Sequence, residues 1–171
     1  PVMKTTDENG RDHFKGHAIA SEQIAKTVMK RLKFDNDTIR KVTKLVAYHD
    51  YRMEPTGANV RRAMHEIGVE LFPYYLAVRL ADTKAQSSYE RRGKLENIIQ
   101  IRELYRNALR NKECVTLKDL AVTGTDLINL GIAPGKELGT LLNELLDIVI
   151  EDPAWNQKEK LCDYVKERFG F

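Results

Sequence analysis

Ala133-Pro134-Gly135-Lys136-Glu137-Leu138-Gly139-Thr140-Leu141-Leu142-Asn143-Glu144-Leu145-Leu146-Asp147-Ile148-Val149-Ile150-Glu151-Asp152-Pro153 is the stretch that decides the fold class. Leu138, Leu141, Leu142, Leu145 and Val149 return at steps of three and four, the spacing that lines one face of an α-helix. Pro134 and Gly135 open this helix, with Pro134 in its first turn, and Asp152-Pro153 stops it because a residue before proline avoids the helical region. Outward from it the same period continues. On the C-terminal side, Asn156 with Glu159 has the spacing of a capping box for a last helix with Leu161, Tyr164 and Val165 inward. On the N-terminal side, residues 116–131 read as one or two short helices, with Thr116 or Thr125 as caps and Gly131 as the terminating glycine.

Further back, a long charged helix over residues 88–111 carries Leu95, Ile98, Ile101, Tyr105 and Leu109. A helix over residues 71–86 tolerates Pro73 in its first turn and carries Tyr75, Val78 and Ala81. A short one, capped by Asn59 and closed by Gly68, has Val60, Met64 and Ile67 inward, behind a loop over residues 51–57. Ahead of these lies a helix started by Asp35 or Asn36, with Ile39, Val42, Leu45, Val46 and His49 on one stripe. The first helix, from His17 to Arg31, would bury Ile19, Ile24, Val28 and Leu32. No stretch alternates apolar and polar residues as a strand does, so the expected class is all-α, a helical bundle followed by a smaller helical tail.

Composition agrees. The chain has 171 residues, 42% hydrophobic and 31% charged, enough for one substantial core. Ten Gly and five Pro without a repeat exclude collagen-like and disordered classes. The densest apolar run, Leu145 to Ile150, contains Asp147, so no membrane span is expected. The opening residues, from Pro1 to His13, carry no apolar signal region. Cys114 and Cys162 are too few and too isolated for a disulfide scaffold or a zinc site, and read as reduced thiols of a cytoplasmic protein. Charge is uneven: residues 1–94 hold 18 Lys and Arg against 12 Asp and Glu, net +6, and residues 95–171 hold 10 against 13, net −3. A basic part of this size fits a polyanionic partner.

Three polar residues stand where apolar ones are expected: His17 at a helix start, His49 on an apolar stripe and Asp82 near a helix end. Two imidazoles and a carboxylate from three helices are the donor set a divalent transition metal takes in a bundle. Arg61, Arg62 and His65 fall on the side of their helix opposite Val60, Met64 and Ile67. They form one basic cluster for an RNA backbone, and Arg91, Arg92 and Lys94 form a second. Lys136 sits at a helix N-terminus, where phosphate is bound well. Tyr75 reads as core and Trp155 as the anchor of the last loop. The close acidic pairs, Asp7-Glu8, Asp35 with Asp37, and Glu151-Asp152, all lie at helix ends or loops, so no catalytic residue is assigned.

Asp12-His13-Phe14-Lys15-Gly16-His17, Leu45-Val46-Ala47-Tyr48-His49-Asp50 and Arg79-Leu80-Ala81-Asp82-Thr83-Lys84-Ala85-Gln86-Ser87 together resemble the HD-type helical domain of bacterial tRNA nucleotidyltransferases, the CCA-adding enzymes and their poly(A) polymerase relatives. The segment from Gly124 to Gly139, with Gly124, Asp126, Leu127, Leu130, Gly131, Pro134, Gly135 and Gly139, is similar to the motif of the same enzymes' body and tail. The resemblance implies an HD-type part over residues 1–111, truncated ahead of Pro1, and a tRNA-binding body and tail over residues 112–171. Arg61, Arg62, Arg91, Arg92 and Lys136 are the expected RNA contacts. Catalysis would belong to a head outside this sequence, which adds nucleotides to tRNA 3′ ends from CTP and ATP with magnesium. His17, His49 and Asp82 match the HD-type ligand positions, and without the family's earlier His-Asp pair they are expected to hold a divalent metal weakly or not at all. The alternative is an HD-type metal-dependent phosphohydrolase or phosphodiesterase working through metal-activated water.

Overall fold

The computed structural model describes residues 5–6, 12–13, 16–86, 88 and 90–170. They form eight α-helices: α1 His17–Arg31, α2 Asn36–Tyr48, α3 Gly57–Ile67, α4 Phe72–Ala85, α5 Arg91–Arg110, α6 Gly124–Asn129, α7 Lys136–Glu151 and α8 Lys158–Phe169. Two 3-10 turns, Leu117–Asp119 and Pro153–Trp155, complete the helical part. The protein is all-α. Thr5–Thr6 pairs antiparallel with Asp12–His13, a two-residue ladder too short to show alternation in sequence. The chain forms two compact units, one drawn from Pro1–Arg52 and Val69–Ile98, the other from Met53–Gly68 and Ile99–Phe171.

In the first unit α1 packs on α2 and α2 on α4. Asp35 caps α2, its Oδ1 accepting from the Thr38 N–H at 2.9 Å and its Oδ2 from the Thr38 hydroxyl at 2.6 Å. Those two bonds, the hydroxyl first, hold the Asp35 carboxyl below its usual range. Phe72, Tyr75, Leu76, Arg79 and Thr83 form the buried stripe of α4. The Tyr75 hydroxyl, at the end of a fully buried ring, donates to the Tyr51 carbonyl at 2.7 Å. Helix α1 departs from expectation. It buries none of its residues, and Ile19, Ile24 and Leu32 are 69%, 64% and 60% exposed. Its half-buried face is instead Ala18, Ser21, Ala25 and Met29, one position round from Ile24 and Val28. Small side chains let two helix backbones approach, and here they outrank the bulkier stripe.

The second unit has a core of Leu120, Val122, Leu127, Leu141, Leu145, Leu146, Val149, Ile150, Leu161 and Val165, all buried. The α7 stripe that opens the sequence reading supplies three of these, Leu141, Leu145 and Val149, and Leu146 and Ile150 of the same helix join them. Leu138 and Leu142 are only partly buried against the core. Helix α7 starts at Lys136 behind Gly135 at φ 145°, a conformation L side chains rarely adopt, so Pro134 precedes the helix rather than opening it. The caps also shift. Thr56, not Asn59, caps α3 by accepting from the Asn59 N–H at 3.2 Å. Thr123, not Thr125, caps α6 in a capping box with Asp126. Thr116 caps the Leu117–Asp119 turn as expected, again with a capping box. Asn156 does not cap α8. Its side chain accepts from the Ala121 N–H at 2.8 Å and donates to the Asp119 carbonyl at 3.0 Å, pinning two loops together. Trp155 packs edge-on against Tyr164 with centroids 6.1 Å apart, the anchoring role read for it.

Candidate functional site

His17 is the first residue of α1, behind Gly16 at φ 79°, and His49 is the C-cap of α2. The pairing of α1 with α2 brings the start of one helix beside the end of the other. The two Nε2 atoms lie 3.0 Å apart, and the rings meet edge-on with centroids 4.9 Å apart. His49 Nδ1 is 2.6 Å from the Val46 carbonyl, which fixes the proton on Nδ1. With neutral rings, His49 Nε2 is then the acceptor and His17 Nε2–H the donor. The Val46 carbonyl thus turns His49 Nε2 toward His17, and the lone pair that a metal would use is taken by the His17 N–H.

Asp82 on α4 accepts from Gln86 Nε2 at 2.6 Å through Oδ2. It lines one crevice together with His49, Asp50, Arg52, Arg79, Thr83, Gln86 and Lys94. His17 is not among the residues of that crevice. Among the described residues no three His, Cys, Asp or Glu side chains come together as a metal site. Two imidazoles fit a metal and the carboxylate does not close round it, so no chemistry is routed through a metal here.

The basic clusters separate into different roles. Arg61 does not lie on an outer face: it is 7% exposed. Its Nε donates to the Ile150 carbonyl at 2.7 Å, Nη2 to the Glu151 carbonyl at 3.0 Å, and Nη1 to Glu113 Oε2 at 2.8 Å. One guanidinium thus satisfies two carbonyls left over at the C-terminus of α7 and neutralises a carboxylate. Gly57 makes room for it, since a Cβ there would sit 3.0 Å from Arg61 Nη1. His65 is also engaged, Nδ1 donating to the Val115 carbonyl at 2.9 Å. Arg61 is corrected from a solvated basic face to an internal strut, because the end of α7 covers that flank of α3, whereas His65 stays exposed on the outer side as expected.

Arg62 stays half-exposed, 3.2 Å from Glu151 and 3.9 Å from Asp147. The Arg91 guanidinium donates to the Gln86 carbonyl and ties the start of α5 to the end of α4. Arg92 is 93% exposed, with Glu96 at 2.9 Å. Lys136 is exposed at the first turn of α7, lining a cavity of about 360 Å³ with Thr140, Leu141, Glu144, Arg168 and Phe169. Arg168 there is held by Glu144. Cys114 is buried and its thiol is pushed up to about 11, chiefly by desolvation, so it is inert. Cys162 is shifted the same way for the same first reason.

Arg79 escaped the sequence reading. It is buried, and the signal was available: Phe72, Leu76, Arg79 and Thr83 follow helical steps, so an arginine occupies an apolar stripe.

Among the described residues no helix is long and apolar enough to cross a membrane. Comparison with curated proteins and with solved structures finds no match. A family model described as tRNA nucleotidyltransferase domain 2 matches residues 17–165, from the histidine at the start of α1 to the last buried valine of α8. The chain therefore belongs to the tRNA nucleotidyltransferase domain 2 family.

Proposed function

We propose that this chain is the tRNA-holding C-terminal part of a cytoplasmic nucleotidyltransferase that adds CCA, or part of it, to tRNA 3′ ends. The observation that carries this reading is the family match across residues 17–165, which takes in His17 and the stretches 45–50, 79–87 and 124–139 whose motifs resemble CCA-adding enzymes. In this reading residues 1–111 are the HD-type part and residues 112–171 the body and tail. CTP, ATP and magnesium meet the protein only in a catalytic head outside this sequence.

The RNA is held by charge. Arg92 and Lys136 extend into solvent and Arg62 is half-exposed, which suits contacts to a phosphate backbone. Arg91 stands beside Arg92 with its guanidinium partly committed to Gln86. Arg61 is left out of the contact set because its three donors are spent inside the protein. His17, His49 and Asp82 are proposed as the remnant of an HD-type ligand set, of which the histidine pair is the part that meets.

Fluorescence anisotropy of labelled tRNA lacking its 3′ CCA tests the reading at low salt. The chain should bind it, and Arg92→Ala combined with Lys136→Ala should weaken binding about tenfold or more while the circular dichroism spectrum is unchanged. Incubation with the same tRNA, CTP, ATP and magnesium should give no extension. Absence of tRNA affinity at low salt would contradict the proposal, and so would extension by this chain alone.

A further inference from the structure

A cavity of about 360 Å³ opens between the first half of α7 and the end of α8, wholly within the second unit. That is the size of a small-molecule cleft, and its lining has an apolar part and a charged part. Leu141, 3% exposed, brings the core to the cavity wall, and Phe169 stands with it, 47% exposed. A phenyl ring left half in water on a concave wall is apolar surface that a second ring would cover.

The charged part divides into a closed pair and an open one. Arg168 and Glu144 neutralise each other through a two-pronged contact, Nη1 donating to Oε2 and Nη2 to Oε1 at 3.3 Å. The Arg168 guanidinium carbon also stands 5.8 Å from the centroid of the Phe169 ring, so the pair and the ring form one continuous wall. Lys136 and Glu137 are exposed, line the same cavity, and among the described residues have no ion-pair partner. Side chains one position apart on a helix do not face each other, so these two do not satisfy one another. The cavity therefore presents one open positive and one open negative charge beside an apolar wall.

That combination selects a ligand. A simple anion drawn to Lys136 meets the Glu137 carboxylate, and a simple cation drawn to Glu137 meets the Lys136 ammonium. An uncharged ring answers neither. A dipolar molecule with both charges on one carbon and a ring beside them answers all three surfaces at once.

We propose that this cavity binds a free α-amino acid with an aromatic side chain, its carboxylate on Lys136, its ammonium on Glu137 and its ring over Phe169 and Leu141. This requires neither tRNA nor a metal.

An NMR titration of the isotope-labelled full chain with L-phenylalanine, following the backbone N–H signals of residues 136–144 and 168–170, tests it. Saturable shifts confined to those signals are expected. Phe169→Ala should weaken binding about tenfold, through the lost ring contact. Lys136→Ala and Glu137→Ala should each weaken it about threefold, as for exposed ion pairs. All three replace exposed side chains, so the fold is kept in each. L-Phenylalanine amide, which lacks the carboxylate, and 3-phenylpropanoate, which lacks the ammonium, should each bind several-fold more weakly, and glycine, which lacks the ring, should give no saturable shift. No saturable shift with L-phenylalanine would overturn the proposal. So would unchanged affinity in the Phe169 variant, or equal affinity for the amide, for 3-phenylpropanoate or for glycine.

Discussion

Arg61 shows how much one side chain does in the second unit. Its guanidinium holds Ile150, Glu151 and Glu113 at once, bringing α3, the end of α7 and the residues after α5 to one point. Removing it strands a half-buried carboxylate and two carbonyls. Arg61→Ala should therefore destabilise this unit by about 3 kcal/mol, in the range for breaking a buried pair, and Arg61→Lys should recover only part of that. Urea unfolding followed by fluorescence of Trp155, the single tryptophan, reads it directly. By contrast Arg62→Ala, whose partners are exposed, should cost less than about 1 kcal/mol. The two arginines are neighbours in sequence and alike in character. Helical spacing alone put both outside, because it gives the direction of a side chain and not the width of the surface that a neighbouring element covers.

At the scale of elements, the short helix α6 is tied at both ends of its first turn. Thr123 and Asp126 cap each other, and Asp126 also accepts from Lys158 Nζ at 2.5 Å, linking α6 to the start of α8. The Lys158 bond first, and the Thr123 bonds after it, lower the Asp126 carboxyl from 3.8 to about 2. A carboxyl with a depressed folded-state pKa stabilises the fold above its unfolded value, and that contribution fades as pH falls through the folded value. The melting temperature gap between wild type and Asp126→Asn should thus be constant from about pH 5 to 7 and close between about pH 4 and 2. Thr123→Ala should cost about 1 kcal/mol, as loss of an N-cap does.

Element boundaries were legible where periodicity and stop signals agree, as in α1 from His17 to Arg31 and α7 ending before Asp152-Pro153. Caps were legible by residue type but not by position. Thr56, Asn59, Thr123 and Thr125 are all competent, and the winner is the one whose extended backbone precedes the first turn. Burial on α1 was not legible at all. Its isoleucines mark an apolar face, but a sequence does not say whether anything lies against it. The histidine pair was half legible: the residue types were evident, and the approach of the two rings depends on how α1 pairs with α2.

At the scale of the whole molecule, charge is divided along the chain, +6 over residues 1–94 and −3 over residues 95–171. The family match runs through both parts, so the proposed RNA contacts draw on both: Arg92 in the basic part, and Lys136 at the N-terminus of α7 in the acidic part. Phosphate contacts of this kind release condensed counterions from the RNA, and affinity then falls in proportion to the contacts made as salt rises. The salt dependence of tRNA binding measures this most directly. A plot of log affinity against log salt should be a falling line with a slope of several units, and Lys136→Ala should make the slope shallower by about one. A flat line, or a slope identical in the Lys136 variant, would contradict the account.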